Sequence, residues 1–284
     1  MSSQDHYTER TIRFGPDHCL IGTLSLPVSP PLTPSPGLIL FNAGVLSRVG
    51  PHRLNVDLAR HAALHGIPAI RFDLPGLGDS GFTRSNLPRE AQELNAITAA
   101  MTQLASTPCS PTTFQIIGFC SGAELGLKIA LKDTRVTGLT LIEPYYYPNA
   151  LSRPLRIMRR LSEYGLRRAI PRIHEILRYR LKTQAGSEAS NTLPNPGIAE
   201  ESGTPPPRRE AFTADLATLL KRGVHVNLIY ASTLMGRFDF WMHKRQIFQP
   251  CLEHPHFRVE LLPDTDHSFT QLSARQLLLQ QITR

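Results

Sequence analysis

Phe114-Gln115-Ile116-Ile117-Gly118-Phe119-Cys120-Ser121-Gly122 runs directly into Ala123-Glu124-Leu125-Gly126-Leu127-Lys128-Ile129-Ala130-Leu131. Phe114 to Ile117 is a short apolar run of strand type, and Ala123 to Leu131 reads as a helix. Between them lies a five-residue turn with glycine at both ends and cysteine at its centre. Such a turn forces its central residue into a strained backbone conformation, and the flanking glycines leave room for the chain to fold back. The helix that starts there aims unpaired N–H groups and a partial positive charge at the central side chain. A thiol in that setting is activated for attack, so Cys120 is the candidate nucleophile.

The chain on either side repeats the same alternation. Thr11–Phe14 and Cys19–Leu26 read as two short strands joined by the turn Gly15-Pro16-Asp17. A proline-rich connector, Pro27 to Pro36, precedes the apolar strand Leu38–Phe41, which ends at Asn42-Ala43-Gly44. Then follow a helix over His52–His65, a strand over Pro68–Phe72, the loop Asp73 to Ser80, and a helix over Pro88–Leu104. Gly138–Ile142 is the strand after the elbow. Past a long interruption come helix Phe212–Arg222, strand His225–Tyr230, a helix around Asp239–Gln249, strand Phe257–Leu262 and a last helix from Ser273. Strands alternating with helices predict an α/β fold with a mainly parallel sheet covered on both faces. The predicted core is therefore 1–144 and 211–284. Residues 145–210 read as an inserted cap over the carboxyl edge of the sheet, where open α/β sheets bind ligands. Its first part, to Lys182, is helical and basic. Its second part, 183–210, is rich in Pro, Gly, Ser and Glu and is expected to be poorly ordered.

Composition narrows the classes. A chain of 284 residues that is 41% hydrophobic can bury a full core. The first ten residues are polar and of mixed charge, no apolar run approaches the roughly 20 residues of a membrane span, and the four cysteines form no CxxC pair. The expectation is a cytoplasmic protein with reduced thiols, no metal site and no cofactor. Leu151 to Lys182 holds ten basic residues and two acids, so this stretch alone accounts for the formal charge of +8.

Four segments carry a resemblance to the α/β-hydrolases: Asn42-Ala43-Gly44, the run Asp73-x-x-Gly76-x-Gly78-Asp79-Ser80, the elbow at 118–122, and Asp266-His267-Ser268-Phe269. The run Arg48-Val49-Gly50-Pro51-His52-Arg53 resembles, more narrowly, the serine-aminopeptidase-like subgroup that includes the exosortase-associated hydrolases. The resemblance implies an α/β-hydrolase fold with Cys120 as nucleophile and His267, after the last predicted strand, as general base. It implies an oxyanion hole made by the backbone N–H groups of Ser121 and Val45. The family usually carries His-Gly where this chain has Ala43-Gly44. Tyr145 and Tyr146 at the cap entry, with Arg48 and Arg53, are the candidate substrate contacts, and the Gly76–Ser80 loop reads as a wall of the site.

The acid departs from the family pattern. The position after strand His225–Tyr230 that usually holds aspartate aligns with Leu234, which cannot orient an imidazole. Asp239, at the start of a predicted helix, is the preferred substitute. Glu143, at the end of the strand after the elbow, is the alternative, and Asp266 is a third candidate whose adjacency to His267 disfavours it. A Cys–His dyad without any acid is also open, because a thiolate can pair with a charged imidazole.

These residues point to hydrolysis of an acyl ester or thioester through an acyl-cysteine. Acyl transfer, cyclisation or lactone hydrolysis by the same cysteine is the alternative chemistry, and a non-catalytic scaffold on this fold is the alternative of another class. The predicted cap helices carry apolar stripes with arginines elsewhere, which fits a solvated charged face over the site. The sharper expectation is docking of an anionic partner, coenzyme A or an acidic acyl carrier protein, with arginines gripping phosphate or carboxylate. Contact with an anionic membrane surface is less favoured, and nucleic acid is not expected because no recognition motif accompanies the charge.

Overall fold

The computed structural model describes residues 6–29, 35–147, 207–232 and 237–282. The predicted cap therefore lies outside the described residues, except for Tyr145–Tyr147 and the few residues that lead into the helix after it.

The chain opens with a hairpin, β1 (Tyr7–Phe14) against β2 (Leu20–Pro27), paired antiparallel in unbroken register from Tyr7 opposite Pro27 to Phe14 opposite Leu20. The turn between them contains a left-handed Asp17 and His18. β1 begins four residues before the apolar pattern does, because Thr8, Glu9 and Arg10 sit on an edge strand whose outer face stays in solvent. The other strands are β3 (Gly37–Leu40), β4 (Ala69–Phe72), β5 (Phe114–Phe119), β6 (Val136–Ile142), β7 (His225–Ala231) and β8 (Phe257–Leu262). Together they make one eight-stranded sheet in the order β1-β2-β4-β3-β5-β6-β7-β8. Everything from β4 to β8 is parallel, and β2 joins β4 antiparallel. The α/β-hydrolase fold expected from the sequence is the fold observed.

Helices α1 (Leu54–Leu64) and α6 (Leu272–Ile282) pack on one face, and α2 (Arg89–Ala105), α3 (Ser121–Lys132) and α4 (Arg209–Lys221) on the other; α5 (Arg237–Ile247) lies against α4 and β8. The four-residue strands β3 and β4 are buried at every position, which is why they read as unbroken apolar runs and not as alternation. Leu38, Leu40, Leu54, Leu58, Ile117, Ile142, Ile229 and Leu278 form a core that links the strands to α1 and α6.

The topology sets the place of the site. From β3 the chain moves outward to β4, then crosses back to β5 on the other side of β3. The carboxyl ends of β3 and β5 therefore diverge at a switch point, where open α/β sheets form their binding crevice. The turn after β3 holds Val45, and the turn after β5 holds Cys120.

The elbow itself depends on two close approaches. A Cβ placed on Gly118 would lie 2.5 Å from the Gly122 carbonyl oxygen and 2.8 Å from Ala123 Cα, and one on Gly122 would lie 2.8 Å from the Asn42 carbonyl oxygen. These neighbours are backbone and cannot rotate away. Gly118→Ala is expected to cost about 1–3 kcal/mol by overpacking. A denaturation midpoint that falls, with the slope unchanged, is the result to look for.

Candidate active site

Cys120 adopts φ 52 and ψ −119, a conformation that L-residues avoid, and caps the start of α3. Its N–H donates to the Ile142 carbonyl at 2.9 Å, and its carbonyl accepts from the Ala123 N–H at 2.9 Å. The residue is thus fixed on both sides while its side chain stays partly accessible. Ser121 is the first residue of α3, so its N–H has no acceptor within the helix.

The facing turn is equally constrained. Gly44 has φ 56, and Leu46 N–H donates back to the Ala43 carbonyl at 3.0 Å, leaving Gly44 and Val45 at the tip. Asn42 holds this turn. Its Nδ2 donates to the Leu46 carbonyl at 2.7 Å and to Asp73 Oδ1 at 3.3 Å, while its Oδ1 accepts from Leu74 N–H at 2.6 Å. Asp73, fully buried, also accepts from the Arg48 N–H at 2.6 Å, from Arg48 Nη1 at 2.5 Å and from the Asp79 N–H at 3.1 Å. Gly78 is left-handed, and a Cβ there would strike the Asp73 carboxyl. Asp73 therefore ties the turn after β3 to the wall loop, a role the sequence did not single out. A buried carboxylate needs such a full set of donors to remain charged.

Arg48, expected to contact substrate, spends its guanidinium on Asp73 and Asp79, the latter at 2.7 Å. Burial opposes its charge, but the hydrogen bonds to Asp79 and Asp73 outweigh it and raise its pKa. Arg53 is exposed and left-handed at the entry to α1. Tyr145 stacks edge-on against Phe212 with ring centres 5.2 Å apart, and its carbonyl accepts from the Tyr230 hydroxyl at 3.2 Å. Tyr146 is buried.

His267 lies in the loop between β8 and α6. Its Nδ1 is 3.0 Å from Glu143 Oε2, and the Cys120 side chain is its other polar neighbour. The Phe119 ring sits 5.5 Å from the imidazole. Glu143 follows β6 with φ 55, a left-handed kink that keeps its N–H on β7 (to the Ile229 carbonyl, 2.8 Å) while the side chain turns into the site. Its second oxygen, Oε1, accepts from the Ala231 N–H. Both carboxyl oxygens are thereby occupied, and the residue is 1% exposed.

Among the acid candidates whose side chains are described, Glu143 is hydrogen-bonded to His267 and Asp266 is not. Asp266 directs its carboxylate to Thr270 instead, accepting from the N–H at 2.8 Å and from the hydroxyl at 2.6 Å. The side chain of Asp239 and the position aligned with the usual acid, Leu234, lie outside the described residues.

The electrostatics follow from this packing. Burial pushes the Glu143 carboxyl up, opposed by hydrogen bonds from His267 and the Ala231 amide. His267 is pushed up to about 10, first by its hydrogen bond to Cys120 and then by that to Glu143, against the opposing effect of burial. Among the described residues no group of three or more His, Cys, Asp or Glu side chains could hold a metal ion, and no helix is long and apolar enough to cross a membrane.

Residues 45–280 match the profile of the alpha/beta hydrolase family. A search of curated proteins found no match. Solved structures share the fold at low identity. A hypothetical protein from Pseudomonas aeruginosa is 14% identical with a TM-score of 0.56, over 100% of this chain and 94% of that one. A serine hydrolase without lid from Xanthomonas campestris is 15% identical with a TM-score of 0.53, over 99% and 94%. Dienelactone hydrolase from Anabaena variabilis is 13% identical with a TM-score of 0.52, over 98% and 96%.

An imidazole held this way should titrate far above the ordinary 6.5 of histidine. NMR titration of the ring resonances is expected to place His267 near 10, and Glu143→Gln should bring it down. Because the folded value is the higher one, the charged pair stabilises the fold in full below about pH 6.5, and that contribution is lost as pH rises through the folded value. A His267 that titrates with the solvent-exposed histidines would contradict this electrostatic picture.

Proposed function

Starting from a chain that belongs to the alpha/beta hydrolase family, we propose that it hydrolyses an acyl ester or thioester through Cys120. The observation that carries this reading is the chain of contacts Cys120–His267–Glu143, with the 3.0 Å Nδ1–Oε2 bond at its buried end. A histidine bonded to a thiol on one side and a buried carboxylate on the other can take a proton and hold it.

In the proposed reaction Cys120 and His267 react as an ion pair, with the proton already on His267 Nε2, the nitrogen left after Nδ1–H is donated to Glu143. Sγ then bonds to the acyl carbon, and the negative charge gathers on the former carbonyl oxygen. The N–H groups of Ser121 and Val45 are the proposed donors for that oxyanion. Collapse breaks the bond to the leaving alkoxide or thiolate, which takes the proton from His267. Water, deprotonated by His267, attacks the acyl-cysteine and releases the acid with the thiol restored. Glu143 accepts the Nδ1 hydrogen bond throughout and balances the imidazolium charge from its buried position.

The arginine-rich segment 151–182 remains the proposed contact for an anionic carrier of the acyl group, such as coenzyme A or an acidic carrier protein. The same covalent chemistry on a cyclic ester would make the protein a lactonase. The likeness to dienelactone hydrolase is one of fold and supports including lactones among the substrates tried.

The test is turnover of a panel of p-nitrophenyl esters, acyl-CoA thioesters and lactones. Wild type is expected to turn over at least one class, and Cys120→Ala to abolish it. Glu143→Gln should lower kcat about 10²-fold through the lost orientation and charge balance of His267, while Asp239→Ala leaves it near wild type. Activity that survives Cys120→Ala would overturn the nucleophile. Activity that depends on Asp239 and ignores Glu143 would overturn the acid.

A further inference from the structure

The run Arg48-Val49-Gly50-Pro51-His52-Arg53 is only partly explained by the site described above. Arg48 anchors its start to Asp73 and Asp79. Its far end is bent through two adjacent left-handed residues, His52 at φ 46 and Arg53 at φ 67, shortly after a left-handed Gly50 at φ 73. Two neighbouring non-glycine residues in the left-handed region persist only where surrounding contacts impose them. The contacts at His52 lead to the loop that carries His267 and to α6, the helix that follows it.

His52 Nε2 lies 3.2 Å from Thr270 Oγ1. That hydroxyl has one hydrogen, and it is spent on Asp266 Oδ2 at 2.6 Å, since an ionised carboxylate can only accept. Thr270 Oγ1 must therefore accept from His52, which fixes His52 with a hydrogen on Nε2. Asp266 in turn closes the 266–270 turn three times: on the Thr270 hydroxyl, on the Thr270 N–H at 2.8 Å, and through its carbonyl on the Phe269 N–H at 3.1 Å. His267 lies inside that closed turn. From α6, Arg275 Nη1 donates to the His52 carbonyl at 2.7 Å and reaches Asp57 Oδ2 of α1 at 3.4 Å. His52 is thus held by its ring on one side and its carbonyl on the other.

We propose that His52 is a positioning residue that braces the His267 turn against the 44–53 loop, so that the general base and the Val45 oxyanion donor keep a fixed separation. This rests on the proposed Cys120–His267 chemistry. The strained backbone at His52 and Arg53 turns the imidazole toward Thr270, and the 44–53 loop is pinned at its other end by Asp73. Loss of the His52 ring would remove the link between that loop and Thr270, leaving the Arg275 bond to the His52 carbonyl as its remaining side-chain tie to α6.

The test follows the pH profile of Cys120 alkylation by iodoacetamide, read by peptide mass, in wild type, His52→Ala, His52→Gln and Thr270→Val. His52→Ala and Thr270→Val are expected to slow alkylation at pH 7 by about 10-fold, the scale of a small misplacement of reacting groups, and to change the shape of the profile, which His267 helps to set. His52→Gln, whose amide N–H can still donate to Thr270, should recover most of the rate. A merely structural role would lower the melting temperature without changing the profile, and Gln would not rescue it. If the His52→Ala profile superimposes on wild type, or Ala and Gln behave alike, the brace is wrong while the nucleophile stands. If wild-type Cys120 reacts no faster than Cys109, the reading of the site itself has failed, and the brace falls with it.

Discussion

The site depends on one steric constraint: β5 and α3 must come close enough for the chain to reverse within three residues at Cys120. Gly118 and Gly122 permit it, because any side chain there would meet backbone. The reversal has two effects that cannot be separated. It holds Cys120 at a left-handed φ with its N–H and carbonyl both bonded, and it brings the start of α3 against Asn42, the residue that shapes the turn after β3. The turn that holds Cys120 and the turn that holds Val45 are therefore set by the same close packing.

A second constraint acts at the buried end of the site. Glu143 leaves β6 through its own left-handed step and keeps its backbone on β7, so its carboxyl is out of water with both oxygens bonded. A charge so placed would be costly alone. With His267 beside it the cost is offset, and the same pairing raises the imidazole. In the proposed mechanism the buried carboxylate and the thiol share one imidazole, and the proton held there is the one the reaction moves.

Much of this was legible in the sequence, for identifiable reasons. The elbow could be read because its requirement is local: glycine, any residue, cysteine, any residue, glycine between a strand and a helix. His267 could be read because chain order in this fold puts the histidine after the last strand. The acid was harder. Asp239 and Glu143 both end up near the carboxyl edge by sequence order, and only the lateral pairing of β6 with β7, a long-range register, brings Glu143 to the imidazole. The link between Asp73 and Arg48 was not legible for a related reason: the buried aspartate that pairs with the arginine lies twenty-five residues away along the chain. His52 carried no signal beyond its motif, since its partner Thr270 lies 218 positions along the chain.

The central claim is that acyl groups pass through Cys120, and the direct measurement is intact-protein mass spectrometry during turnover of a slowly deacylated ester. An adduct of one acyl group is predicted, localised to the peptide that holds Cys120, cleared as substrate runs out and absent from Cys120→Ala. Turnover with no adduct, or an adduct on Cys19, Cys109 or Cys251, would contradict the account.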